Sequence, residues 1–210
     1  MTMPNKDPIS KSYARLPDIF TGLDQKQRLA IAGQLIIGSA KSENPLREGL
    51  QRTPERFAKA MGFLLSGYET TPEQVVGEGL FTSDNSGVVS VNNVEFYSLC
   101  EHHMLPFWGE VSVAYYPTGK IIGLSKIPRL VDLFARRLQV QEHLTSQIAK
   151  ALNELLQPRA VAVRISGKHL CMMMRGVEKQ MSSTVSETTL GVETLTNLEQ
   201  QRLFAALEGK

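Results

Sequence analysis

Between Gln25 and Ser39 the apolar residues Leu29, Ala32, Leu35 and Ile36 recur at the three-and-four spacing that lines one face of a helix. A second stripe, Phe57, Ala60, Met61, Leu64 and Leu65, follows Thr53-Pro54. There the threonine suits an N-cap and the proline the first helical position. A short third helix is expected from Thr71-Pro72-Glu73-Gln74, where Gln74 stands three residues after Thr71, as a capping box requires. The polar run Thr82 to Gly87 reads as the loop that closes this helical part.

The period then shortens to two. Val94, Phe96, Ser98 and Cys100 alternate with Glu95, Tyr97 and Leu99, and Val111, Val113 and Tyr115 alternate with Ser112, Ala114 and Tyr116. Pro117-Thr118-Gly119-Lys120 is a turn signal, after which Ile121 to Leu124 is expected to return as a hairpin partner. Helical spacing resumes behind Ser125 as cap, with Ile127, Leu130, Val131, Phe134 and Leu138 on one face. It resumes again from Gln141, with Leu144, Ile148, Leu152 and Leu155 inward and Pro158 at the end. Val161, Val163 and Ile165 alternate once more. Strands through Leu170–Arg175 and near Thr184–Leu190, then a helix from Asn197 to Leu207, complete the reading. The order is helices, then β-β-α-α-β-β, then a short helix, which is the pattern of an α+β protein with an antiparallel sheet. Residues 1–24 are expected to form a flexible arm, 25–86 a helical part and 87–210 the part that carries the chemistry.

Composition narrows the function without naming it. The 210 residues are 42% hydrophobic and 21% charged, with 23 Lys+Arg against 21 Asp+Glu. A net charge of +2 gives no reason to expect nucleic acid or a membrane surface as partner, so an anionic ligand would need a local basic cluster. The N-terminal stretch lacks the apolar core of a secretory signal, and no apolar run approaches a bilayer's span. A cytoplasmic protein with reduced cysteines is expected, and there thiols serve metal binding or catalysis more often than disulfides.

The stretch Ser98-Leu99-Cys100-Glu101-His102-His103-Met104-Leu105-Pro106 holds one of the two cysteines and two of the four histidines. Cys100 and His103 have the Cys-x-x-His spacing that can present a thiolate and an imidazole to one zinc ion. The other cysteine, Cys171, follows His169 by two positions, and in an extended strand both would point to one face. Cys100, His103 and Cys171 as ligands would leave a position for water, the catalytic arrangement. A further histidine in that position would make a closed structural site. Cysteines packed only as small buried hydrophobes are the third reading.

These residues resemble the signature of GTP cyclohydrolase I. Similar blocks recur in order: Ile122-Gly123-Leu124-Ser125-Lys126-Ile127, Arg136-Arg137-Leu138-Gln139-Val140-Gln141-Glu142, His169-Leu170-Cys171-Met172 with Met174-Arg175-Gly176, and Thr53-Pro54-Glu55-Arg56 in the helical part. The resemblance implies the tunnelling fold, a four-stranded antiparallel sheet with two helices between its hairpins, here preceded by a helical segment. It also implies a homodecamer of two stacked pentamers, with GTP as substrate and one Zn2+ per subunit. The implied activity is that of a hydrolase acting on a cyclic amidine, converting GTP and water to 7,8-dihydroneopterin triphosphate and formate at the entry to folate and pterin biosynthesis.

By the same resemblance Cys100, His103 and Cys171 hold the metal. His169 gives a proton to the purine N7, and His102 is a second acid/base group. Glu142 accepts from the guanine N1–H and amino group, and Gln141 contacts another edge of the base or the sugar. Ser125, Lys126, Arg129 and Arg175 hold triphosphate or ribose, with Arg56 reaching in from a neighbouring subunit. Arg136 and Arg137 are expected to be structural. These polar residues also have plain readings: Lys126 and Arg129 as solvated helix charges, Glu142 as a favourable carboxylate at a helix start, and Gln141 as a cap. One departure is visible, in that Ser166-Gly167-Lys168 stands before His169 where family members commonly carry an acidic residue and a small one. Rival readings are a zinc-stabilised scaffold without catalysis and a same-fold enzyme for another purine or pterin. A zinc nucleoside deaminase would need a Pro-Cys-x-x-Cys segment, which the sequence lacks.

Overall fold

The computed structural model describes residues 20–209. The arm expected over residues 1–24 therefore lies mostly outside the described residues. The chain divides into two compact units after Phe63. In the first, α1 (Gln25–Ser39) starts at a capping box in which Asp24 accepts from the Gln27 amide and Gln27 reaches back to the Asp24 amide. Gly33 is buried in α1, and a Cβ there would meet the Phe57 ring at 2.9 Å, so only glycine admits that ring. Phe57 belongs to α2 (Thr53–Leu64). Thr53 is already helical, and its hydroxyl donates back to the Gly49 carbonyl instead of acting as the expected cap.

The second unit begins with α3 (Pro72–Val76), closed by the expected Thr71–Gln74 capping box. β1 (Leu80–Thr82) comes next, followed by the hairpin of β2 (Val89–Cys100) and β3 (Pro106–Tyr116). β4 (Lys120–Ile122) does not return along β3 as the turn signal implied. It pairs antiparallel with β1 in a separate two-stranded sheet. A three-residue strand satisfies its backbone as well on one edge as on another, and local turn chemistry does not choose between them.

α4 (Lys126–Ala135), a two-residue β5 (Leu138–Gln139) and α5 (Gln141–Leu156) cross over to β6 (Ala160–His169). Ser125 precedes α4 with helical backbone angles and makes no side-chain cap, contrary to the sequence reading. α6 (Leu170–Met173) is a single turn, followed by β7 (Thr184–Leu190) and α7 (Asn197–Leu207). The strand expected through Leu170–Arg175 is thus a helical turn. The main sheet runs β5-β2-β3-β6-β7, its four long strands antiparallel and β5 parallel to β2. This is the α+β, β-β-α-α-β-β arrangement read from the sequence.

One sheet face presents Phe96, Val111, Val113, Tyr115, Val163 and Ile165 to Ile127, Leu130 and Val131 of α4 and to Leu144, Ile148 and Leu152 of α5. These side chains are almost wholly withdrawn from water, each worth about 1.5–3 kcal/mol. On the opposite face α7 covers Ala114, Tyr116, Ala160 and Ala162 with Leu203 and Leu207. Small alanines let the helix lie close. Alternation along β2 is reset by a bulge between Val91 and Val94, where Asn93 takes a left-handed φ of 56° and Asn92 donates to the Ala206 carbonyl.

Candidate metal and proton-transfer site

The site forms where β2 ends, β3 begins and β6 breaks into α6. The β2–β3 connection is a tight loop: the Cys100 amide donates to Leu105 O at 2.9 Å, and Met104 N donates to Cys100 O at 2.7 Å. Met104 adopts a left-handed φ of 51°. Glu101 N donates to Gln139 O, which ties the loop to β5. This folding-back places His103 over Cys100, with Nδ1 3.8 Å from Cys100 Sγ. From the other segment, the turn of α6 brings in Cys171. The donor atoms of Cys100, His103 and Cys171 all lie within 4.8 Å of one another. Sequence reasoning carried Cys171 there as part of a strand, whereas its actual position depends on the helical turn after His169.

Two thiols and an imidazole form a donor set suited to zinc. With bond lengths of about 2.3 Å to sulfur and 2.0–2.1 Å to nitrogen, a tetrahedral ion sets its ligand atoms roughly 3.6 Å apart, so the 3.8 Å sulfur–nitrogen distance fits. Burial and the neighbouring Cys100 push the Cys171 thiol up, partly opposed by Arg175. Both cysteines are free.

Three histidines surround the cluster in different ways. His103 Nε2 lies 3.2 Å from an Arg175 guanidinium nitrogen. His102 is exposed, with Nδ1 3.7 Å from Cys100 Sγ and Nε2 3.8 Å from the Glu101 carboxylate, and it stands outside the set of mutually close donors. His169, the last residue of β6, is held firmly. Its ring stacks on Phe107 at 4.5 Å with planes 4° apart, and its Nε2 lies 2.9 Å from Gln141 Oε1. Burial pushes the His169 imidazole below its ordinary value, opposed by the Glu142 carboxylate.

The remaining candidates divide. Glu142 is exposed in the first turn of α5 and close enough for its charge to act on His169. Ser125, Lys126 and Arg129 stand at the start of α4. The Lys126 ammonium reaches the Val75 carbonyl at 3.5 Å, and Arg129 borders a cavity of about 200 Å³ together with Thr70 and Val75. Arg56 is exposed on α2 in the first unit. Arg136 pairs with Asp132, and Arg137 donates to the carbonyls of Gly67 and Leu133, in keeping with structural roles. Phe107 escaped the sequence reading, and Gly167 entered it only as part of the departure before His169, although a glycine inside a strand is itself a sign of close approach.

Comparison with known proteins agrees with the geometry. The family model described as GTP cyclohydrolase I matches residues 33–208. A GTP cyclohydrolase 1 of Campylobacter concisus is 53% identical over 165 residues, 79% of this chain and 86% of that protein. One of Leptospira biflexa is 57% identical over 150 residues, 71% and 82% of the two chains. A protein of Pseudomonas aeruginosa named GTP cyclohydrolase 1 1 is 53% identical over 168 residues, 80% and 90%. At that identity and coverage, the chain belongs to the GTP cyclohydrolase I family.

Proposed function

We propose that this chain opens the purine ring of GTP with water, releasing C8 as formate and yielding 7,8-dihydroneopterin triphosphate, with one zinc ion per subunit held by Cys100, His103 and Cys171. The observation that carries the proposal is the convergence of those three donors from two segments some seventy positions apart, within 4.8 Å. When bound, zinc lowers the pKa of water it holds towards about 7 and so supplies a nucleophile at neutral pH.

The chain's own residues orient the base and move protons. His169 gives a proton to N7, which makes C8 more electrophilic. A half-buried imidazole, for which charge is costly, releases such a proton readily. His102, exposed beside the cluster, serves as the second acid/base group as the C8–N9 bond breaks. Glu142 has a carboxylate open to solvent and matches the adjacent N1–H and amino donors of guanine. Arg175, Ser125, Lys126 and Arg129 bind triphosphate or ribose, with Arg56 contributed by a neighbouring subunit. For Lys126 this requires its ammonium to leave the Val75 carbonyl.

Residues 87–210 carry the catalytic part. The subunits assemble as a homodecamer in this reading, supported by β7, which among the described residues pairs only with β6 and so leaves an edge for a second copy. Cytoplasmic residence suits the free thiols, and among the described residues no helix is long and apolar enough to cross a membrane. Incubating the zinc-replete protein with GTP is expected to yield formate and, after oxidation, a fluorescent pterin in equal amounts. No product at full zinc occupancy would favour a zinc-stabilised scaffold instead.

A further inference from the structure

Gln141 is 2% exposed, and its amide is fully engaged within the protein. Nε2 faces the Ile165 carbonyl at 3.3 Å, the Thr184 carbonyl at 3.0 Å and Ser186 Oγ at 3.1 Å. Carbonyl oxygens only accept, so the NH2 group must lie on that side and Oε1 on the other. The surrounding hydroxyls agree. Thr145 Oγ1 donates to the Gln141 carbonyl at 2.8 Å, which uses its one hydrogen. In the 2.7 Å contact between Thr145 and Ser186, Ser186 is therefore the donor. Ser186 is then left to accept from Gln141. The two Nε2 hydrogens are thus shared among three acceptors on β6 and β7, none of which leaves room for Oε1 on that side.

The consequence falls on His169. Oε1 of Gln141 can only accept, and it lies 2.9 Å from His169 Nε2. Nε2 must carry a hydrogen in both protonation states, and the mobile proton is confined to Nδ1. The Phe107 stack fixes the plane of the ring while the amide fixes its rotation within that plane. Gly167 completes the device: a Cβ there would collide with Gln141 Oε1. The glycine next but one before His169 is the space that the amide oxygen occupies.

We infer that Gln141 is a positioning residue, which holds His169 as the Nε2–H tautomer and leaves Nδ1 as the nitrogen that exchanges the proton. The inference rests on the reading of His169 as proton donor, and it deepens that reading by naming the working nitrogen. It also removes Gln141 from the residues that touch substrate.

The test uses full-length, zinc-loaded protein labelled with 15N at its four histidines. Two-bond proton–nitrogen correlation spectra are recorded at about pH 8, where imidazole is neutral, and the His169 signals are assigned by their loss in His169→Ala. A protonated, pyrrole-type Nε2 and a pyridine-type Nδ1 are expected. The opposite tautomer, or an even mixture, would overturn the inference. In Gln141→Met the two tautomers should mix and kcat should fall about 10- to 100-fold, by analogy with the loss of the partner that orients a metal-bound histidine, with KM for GTP little changed. A raised KM at unchanged kcat would instead make Gln141 a substrate contact. Gly167→Ala keeps the glutamine but displaces its oxygen and should give the same mixed spectrum, so the inference stays exposed if Gln141→Met does not fold. A fixed Nε2–H tautomer alongside an active His169→Ala variant would overturn the donor role alone, whereas mixing in the wild type overturns the tautomer lock alone.

Discussion

The two ends of the same three strands are built on opposite terms. Where β3 ends and β6 begins, Ala114, Tyr116, Ala160 and Ala162 are sealed under α7. The Tyr116 hydroxyl there donates to the Glu199 carbonyl, and Glu199 takes a 2.9 Å ion pair from Arg159 and hydrogen bonds from Thr196. At the other end the chain leaves β2 in a loop and β6 in a single helical turn, and His102, His103 and Arg175 are exposed. Two thiols face one another, and burial pushes the Cys171 thiol up against the partial opposition of Arg175. A sheet end whose groups satisfy each other contributes to stability. One that holds strong donors in reserve can bind a cation and react.

Substitutions should therefore separate chemistry from stability by end. The largest effect belongs to the open end. Cys171→Ala should lose zinc and reduce turnover by more than the roughly 100-fold that loss of an outer-shell partner costs, while His169→Ala should keep zinc and lose about 10²–10⁴-fold, the range of general acid–base catalysis. Metal analysis beside steady-state kinetics checks this pair, and equal zinc loss in both variants would contradict the division of roles. At the sealed end, Leu203→Ala removes a fully buried side chain and should cost about 2–5 kcal/mol, read from the denaturant midpoint, with kcat preserved in the folded protein. A loss of kcat there without a loss of stability would break the comparison.

The smallest effect concerns Glu199. The Arg159 guanidinium, with the Thr196 amide and hydroxyl, holds its carboxyl well below the usual 4.5, at about 2. A folded-state pKa below the unfolded one gives stability that is present above pH 4.5 and lost as pH falls towards 2. Glu199→Gln should accordingly melt slightly below the wild type at neutral pH, and the gap should close on acidification through that window. A gap independent of pH would mean that the ion pair contributes nothing.

Much of this was legible in the chain because it is periodic. α1, the Thr71 capping box, β7 and α7 lie where the stripes and caps place them. The alternation from Val94 to Ser98 gives β2 its inward and outward faces, although Leu99, expected to face outward, is buried and the bulge at Asn93 shifts the count upstream. The failures share a cause. Nothing local assigns β4 to β1 instead of β3, because three residues carry too little side-chain pattern to set a partner. Ser125 looks like a cap but is not one, since the preceding chain approaches in a helical conformation. Leu170-Cys171-Met172-Met173, read as a strand in the wake of the β6 alternation, forms a turn of helix.

The sequence alone determined the donor types and the order of the long helices and strands, since ligand chemistry is a property of residue types and the two periods are properties of the backbone. Only the tertiary structure decided how the donors meet and which atoms are free to act. The turn after His169 swings Cys171 to within reach of Cys100, and the packing of α5 on β6 and β7 commits the Gln141 amide to the interior. Distances between segments some seventy residues apart, and the direction of a buried hydrogen bond, are set by how sheets and helices close on one another, and no local pattern encodes them.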